Sequence, residues 1–401
     1  MALDLVTTLS DLISLPSVNP MGRDLKGPEF LEYRVTEYLE AFFRQLGVDY
    51  VRQTVEPQRD NIIARIDGRV PPDAGGQVLL FEAHQDTVPV DGMTIPPWTP
   101  LVRDGRIYGR GSCDIKGGMT AMLGAFARLA AERPDGMPTL IMACTVNEEH
   151  GYTGATALTE LWTTSAWKAL AGFIPRVPDA GVIAEPTRLN VVVAHKGTVR
   201  WRAQTRGKAV HSSQPHLGDN AIYKMARLLA ALEAYQRDAA PRLPQHSLCG
   251  QVTLSVGTIR GGISVNTVPD RCTIEIDRRI LPGETRASAY RHVIDFVANY
   301  PGIDFEIQHD APFLEGEPLA DGANAAVANR LGAISRELSG QGERIGVPFG
   351  TDAAQIAASG VPSVVFGPGS IDQAHTADEW LPLDELELAS EALYRLGRDG
   401  L

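Results

Sequence analysis

The chain is short of several things, and each shortage excludes a class of function. Cysteine is scarce: Cys113, Cys144, Cys249 and Cys272 are the only four in 401 residues, and none forms a CxxC pair. That removes a zinc ribbon and a dense disulfide scaffold, and predicts reduced thiols in a reducing compartment. Aromatic residues make up 6%, charged residues 21% and hydrophobic residues 44%. This is globular usage, not that of a disordered chain, a collagen repeat or a long coiled coil. Positive charge is in deficit, with 37 Lys and Arg against 49 Asp and Glu, a net charge of -12 and no basic cluster. Such a chain repels phosphate backbones and anionic lipid, so neither nucleic acid nor a membrane surface is an expected partner. No apolar run approaches the roughly 18 residues of a membrane span. The opening MALDLVTTLSDL carries Asp4 early and has no basic stretch ahead of an apolar one, so it does not read as a secretory signal. A soluble cytoplasmic protein is expected.

Missing motifs narrow the field further. There is no GxSxG elbow for a serine hydrolase, no HExxH for a single-zinc protease and no GxGxxG for a nicotinamide oxidoreductase.

What is present is organised in blocks. The length predicts two or three domains. A helical face runs through Leu31, Val35, Tyr38, Leu39, Phe42 and Leu46 and stops at Gly47. Apolar runs at 61–66, 77–84 and 139–146 are too short for helices, and a helical pattern from Met119 to Leu129 separates the last two. Strands alternating with helices predict an α/β domain, a mainly parallel sheet flanked by helices. After residue 197 the pattern changes. In TVRWRAQTRG, Val199, Trp201 and Ala203 face one way and Arg200, Arg202 and Gln204 the other, which predicts a half-solvated strand. A helix follows, capped at Asp219 or Asn220, with Ile222, Met225, Leu229 and Leu232 inward. Two alternating strands, a helix near 285–299 and a strand near 303–308 complete a β-α-β-β-α-β order, which is ferredoxin-like. Near 310 the α/β pattern resumes. The expected domains are therefore 1–197 and 310–401 together, with 198–309 inserted.

Five segments place metal-type ligands beside apolar strands or glycine turns. VLLFEAHQD carries His84 and Asp86; the second carboxylate either ligates or holds the ring's other nitrogen. GRGSCDIKGG aims Asp114 from between glycine pairs. TVNEEHG puts Glu148 and Glu149 side by side, a repulsive pair unless a cation or proton is shared. One of them can bind metal while the other faces substrate as a general base. Glu185 ends the run GVIAE, and His375 follows VPSVVFG. Taken alone, the HxD pair, Glu185 and His375 are most often structural, while for Asp114 and the glutamate pair a structural and a functional reading weigh equally. Together, with Asp114 as a bridge, they give each of two metals one imidazole and one terminal carboxylate. That set suits two Zn²⁺, or Co²⁺ or Mn²⁺ in their place.

With these five motifs in this order, the sequence resembles the dinuclear zinc peptidases and deacylases that include acetylornithine deacetylase, succinyl-diaminopimelate desuccinylase, aminoacylase-1 and glutamate carboxypeptidase. The resemblance runs from LPSVNP (Leu15 to Pro20) to AHTADEWL. It implies that His84 and Glu185 hold one metal, that Glu149 and His375 hold the other and that Asp114 bridges. It further implies that Asp86 orients His84 and that Glu148 is the general base, taking a proton from a metal-activated bridging water and passing it to the leaving amine. In the inserted domain it points to His211 as an oxyanion donor, reaching a partner subunit's site in dimeric members. There too it points to Asn266 as a substrate contact and Arg279 as a clamp on the substrate carboxylate. Arg278 or Arg279 is otherwise a solvated strand end. His195, His216, His246, His292 and His309 read as structural or surface residues.

The segment GPGSIDQAHTADE resembles acetylornithine deacetylases more than desuccinylases, with the Gly367 to Ser370 turn shaping the wall near His375. The implied reaction is hydrolysis of an N-acyl amino acid amide by a cytoplasmic homodimer in amino acid metabolism, arginine biosynthesis in particular. The inserted domain then serves as lid and dimer contact. The alternatives are a dipeptidase or carboxypeptidase, a succinyl-diaminopimelate desuccinylase and, from another class, a non-catalytic metal-binding protein on the same fold.

Overall fold

The structure, a computed structural model, describes residues 3–401; the first two residues, which open the MALDLVTTLSDL stretch, lie outside the described residues. The chain divides into two units. The first runs to Val193 and resumes over Asp321–Ile345 and Thr351–Leu401. Its sheet has eight strands in the order Asp49–Glu56, Arg59–Ile66, Thr139–Thr145, Val78–His84, Ala180–Ile183, Ser363–Val365, Val191–His195 and Arg344–Val347. The four strands from Thr139–Thr145 to Ser363–Val365 run parallel to one another. Antiparallel pairing begins outside them, at Arg59–Ile66 on one side and Val191–His195 on the other. The expected parallel sheet is thus its centre. There, every residue of VLLFEAH and TLIMACT is buried, which is why both read as unbroken apolar runs.

The Lys116–Glu132 helix is buried along most of its length and packs against Leu5–Ile13 and Leu383–Asp399. Gly124 permits the approach: a Cβ there would stand 2.5 Å from Leu5 Cδ2 and 2.6 Å from Ser390 Oγ. Among the described residues, no helix is long and apolar enough to cross a membrane.

The second unit comprises Ala194–Ala320 and Gly346–Gly350. Its elements follow the expected order: strand Gly197–Arg206, helix Ala221–Ala234, strands Thr253–Gly261 and Arg271–Ile280, helix Arg286–Ala298 and strand Ile307–His309. The strands are arranged Thr253–Gly261, Arg271–Ile280, Gly197–Arg206, Ile307–His309. Trp201, Tyr235, Ile274 and Ile276 lie in its core, where the Trp201 and Tyr290 rings meet edge to face at 5.2 Å.

Three readings change and one open alternative closes. The unit does not end near 309, because Leu314–Gly316 also pairs with Gly197–Arg206 and keeps the chain there to Ala320. On the Ala221–Ala234 helix the inward row is Ala221, Met225, Leu228 and Leu232, while Ile222 is turned out. Asn220 rather than Asp219 caps this helix, its Oδ1 accepting the Ile222 and Tyr223 N–H groups at 2.9 and 3.3 Å. Gln204 is buried beside its apolar neighbours.

Candidate metal centre

Because the four central strands are parallel, their C-terminal ends share one edge of the sheet, and loops leaving that edge form a crevice. His84 is the last residue of Val78–His84. Glu148 and Glu149 lie just beyond Thr139–Thr145, and Glu185 just beyond Ala180–Ile183. His375 stands in the loop after Ser363–Val365, with a left-handed backbone at φ 59°. Asp114 closes the glycine-flanked turn that leads into the Lys116–Glu132 helix. Every predicted ligand of the first unit arrives at this one place.

Two groups of ligand atoms form there, each within 4.8 Å: His84, Glu148 and Glu185, and Asp114, Glu149 and His375. Asp114 joins them. Its Oδ1 lies 3.3 Å from His84 Nε2 and its Oδ2 lies 3.2 Å from His375 Nε2. Glu185 Oε1 is 3.8 Å from His84 Nε2, and Glu149 Oε2 is 3.5 Å from His375 Nε2. The His84 Nε2 and Glu149 Oε1 atoms are buried with no hydrogen-bond partner among the described residues. Buried polar atoms are rarely left so without a ligand to meet them.

The electrostatics point the same way. Burial, with Asp114 next to it, pushes the Glu149 carboxyl up to about 7. Burial likewise raises Glu148 and Glu185 well above the ordinary range. Burial opposes ionisation of Asp114 too, but hydrogen bonding to His375 and His84 outweighs it and holds that carboxyl low. The carboxylates of Asp114 and Glu149 raise His375 to about 10. Carboxylates packed this closely repel unless a cation is shared, and two imidazoles among four carboxylates form a donor set that divalent transition metals favour.

Asp86 lies against His84 and does more besides. The His84 ring nitrogen Nδ1 meets the Asp86 backbone oxygen at 3.0 Å, while the Asp86 carboxylate stands 3.5 Å away. That carboxylate instead accepts the backbone N–H groups of Glu148 and Glu149, each at 3.1 Å. Asp86 therefore aims the glutamate pair as well as the histidine. Asn19 supports it, donating to Asp86 Oδ2 at 2.7 Å and to Asn147 Oδ1 at 2.9 Å. Sequence reasoning missed Asn19, although it lies inside the LPSVNP segment. It also missed buried Glu82 and Asp352, which share the Thr145 hydroxyl at 2.5 and 3.2 Å, and buried Glu379. None of these belongs to a spacing that marks a ligand.

His211, Asn266 and Arg279 belong to the second unit, the metal-type cluster to the first. His211 and Asn266 are near each other: His211 bridges to Thr267, and the Ser212 N–H donates to the Asn266 carbonyl at 3.0 Å. Both residues are exposed. Arg279 is half-buried and paired with Asp277 at 3.1 Å. Arg278 is no solvated strand end. It is fully buried, donating to Glu284 at 2.7 Å and to the Tyr235 hydroxyl at 3.3 Å.

Comparison with known proteins agrees with this geometry. Residues 80–399 match the family described as Peptidase family M20/M25/M40. An acetylornithine deacetylase of Myxococcus xanthus is 31% identical over 399 residues, 95% of this chain and 97% of that protein. A probable succinyl-diaminopimelate desuccinylase of Staphylococcus epidermidis is 27% identical, covering 95% and 94%. Among solved structures, a tripeptidase from Staphylococcus aureus superposes with a TM-score of 0.74 at 22% identity, covering 98% and 97%. A Bacillus subtilis protein described as a dinuclear metal-binding peptidase does so with 0.68 at 18%, covering 98% and 96%.

Proposed function

Since the chain belongs to peptidase family M20/M25/M40 and is a metallohydrolase of amide bonds, we propose that it hydrolyses the amide of an N-acyl amino acid, in the manner of an acetylornithine deacetylase. The observation that carries this is the bridging posture of Asp114, one carboxylate oxygen toward His84 and the other toward His375. His84 and Glu185 would hold one divalent ion, Glu149 and His375 a second, and Asp114 both, with Zn²⁺ the expected metal and Co²⁺ or Mn²⁺ as substitutes. Bound ions of this kind polarise a carbonyl and acidify water. Glu148 is left to carry protons. Its carboxylate takes a proton from the attacking water and passes it to the leaving nitrogen, a task that suits a carboxyl raised by burial. Asp86 fixes where that carboxylate stands through its hydrogen bond to the Glu148 N–H.

The second unit supplies the remaining roles in this reading: His211 to the oxyanion, Asn266 to substrate and Arg279 to its carboxylate. It also supports a homodimer. The Thr253–Gly261 strand ends its sheet, so its outer edge is unpaired among the described residues. Around it, Tyr223 is 71% exposed, Ile263 92% and Val265 98%. An open edge flanked by apolar side chains is a surface that a second copy would cover. The reading implies a cytoplasmic place in amino acid metabolism, with arginine biosynthesis as the expected pathway.

The test is amine release from N-acetylornithine, other N-acetyl amino acids, N-succinyl-diaminopimelate and dipeptides, using protein loaded with Zn²⁺ or Co²⁺. Preference for an N-acetyl amino acid is expected. Preference for the succinyl compound or a dipeptide would move the chain to the desuccinylase or peptidase branch. Two metals bound with no turnover of any compound would favour the non-catalytic reading.

A further inference from the structure

Glu379 is a heavily bonded carboxylate beside the site and stands outside both groups of candidate metal ligands. It is fully buried, in the loop that carries His375. Its Oε1 accepts the Cys113 N–H at 2.8 Å and the Asp114 N–H at 3.0 Å. Its Oε2 accepts the Gly111 N–H at 3.0 Å and the Arg110 guanidinium at 2.7 Å. The Glu379 carbonyl oxygen accepts the Gly109 N–H at 3.0 Å. Arg110 also reaches the Pro89 carbonyl at 3.1 Å, in the loop that follows His84 and Asp86. The next residues, Trp380–Pro382, pair as a strand with Arg106–Tyr108. Burial raises the Glu379 carboxyl, and the Arg110 charge is the chief influence against it.

We propose that the Arg110–Glu379 pair is a positioning clamp for the dinuclear site, locking the turn that aims Asp114 to the loop that aims His375. This rests on the reading of Asp114 as the shared ligand. The physical case is one of geometry. A bridging carboxylate must present two oxygens to two ions at once, so a small rotation of its backbone harms both contacts. Glycines 109 and 111 on the same turn have positive φ and confer no stiffness of their own. Three N–H groups of a glycine-rich turn satisfied by one carboxylate supply the stiffness instead. The carboxylate is in turn held by a fork-shaped cation that cannot lose its charge. Outer partners of this kind commonly alter metal affinity or activity by about 10–100-fold when removed.

Glu379→Gln is the first variant to make. It keeps the shape but turns an NH₂ toward backbone N–H donors that need an acceptor. With wild-type protein as reference, competition with a chelator and Co²⁺ titration by visible absorption measure the affinity of each ion. The variant should release both ions more readily, the one held by Glu149 and His375 most, by about 10–100-fold, with a changed Co²⁺ spectrum. Excess metal should restore kcat while KM for substrate stays near wild type, a split that a general loss of folding does not produce. Two ions of unchanged affinity and an unchanged spectrum in Glu379→Gln would overturn the clamp. If Glu379→Gln does not fold, Arg110→Lys decides: a smaller weakening of the same ions supports the clamp, and wild-type affinity refutes it. Fewer than two ions on the wild-type chain would instead sink the dinuclear reading beneath it.

Discussion

The two units treat their chemical groups in opposite ways. In the first, the ligands leave buried parallel strands, and their backbones are tied by buried acceptors: Asp86 under Glu148 and Glu149, and Glu379 under Asp114. In the second, His211 and Asn266 stand on an exposed turn. The contrast teaches what each unit can do by itself. A donor set whose backbones are tied by buried acceptors, with only the His375 ring open to solvent, needs little further ordering to receive ions. An exposed histidine such as His211 is, in the proposed reading, finished only by a second copy. The candidate metal ligands are thus concentrated in the first unit, and in the proposed dimer completion by a partner is left to the second.

The sharpest way to break this contrast is at Glu148. Glu148→Gln should lower kcat by about 10²–10⁴-fold while two metals per chain remain, measured by steady-state kinetics and elemental analysis. Loss of metal in that variant would make Glu148 a ligand, a place its grouping with His84 and Glu185 allows. Next, His211→Ala should cost about 10²–10³-fold in kcat, the usual worth of one oxyanion donor. Ile263→Asp combined with Val265→Asp should halve the sedimenting mass and lower activity together with it. An active monomer would mean the second unit needs no partner.

The neighbouring arginines sharpen the contrast inside one strand. Arg278→Leu should destabilise the fold by about 3 kcal/mol in denaturant melts, because it strands Glu284. Arg279→Ala should leave stability nearly intact and raise KM about 10-fold for substrates with a free carboxylate, but not for their amides.

A further effect is a pH slope. Burial holds His195 and His309 at about 4, below the ~6.5 of an unfolded histidine. Both are neutral in the fold, so the unfolded chain takes up protons first as pH drops. Stability should be full above pH ~6.5 and decline toward pH ~4 by about 1–3 kcal/mol per residue. His309→Gln keeps an acceptor for the Trp201 indole N–H and should flatten that decline. An unchanged slope would mean His309 titrates normally.

Legibility in the sequence followed burial and spacing. VLLFEAH and TLIMACT announced themselves because strands covered on both faces carry unbroken apolar runs. His84, Glu149 and Glu185 were findable because each sits where such a run stops. The order of elements in the second unit was readable from alternation, but its end was not. Leu314–Gly316 is too short to show a period, and only its pairing with Gly197–Arg206 holds it there. Ile222 misled because a helix with apolar residues on two faces has no single inward row. Asn19, Arg110 and Glu379 were invisible for another reason. Each acts by hydrogen bonds to residues distant in the chain, and such bonds leave no periodic trace.

The most direct measurement is metal content together with amine release for the wild type and Glu148→Gln. Two divalent ions on both proteins, and hydrolysis of an N-acetyl amino acid only by the wild type, is the expected result. Equal hydrolysis by both would contradict the role of Glu148, and a wild-type chain unable to hold two ions would contradict the site itself.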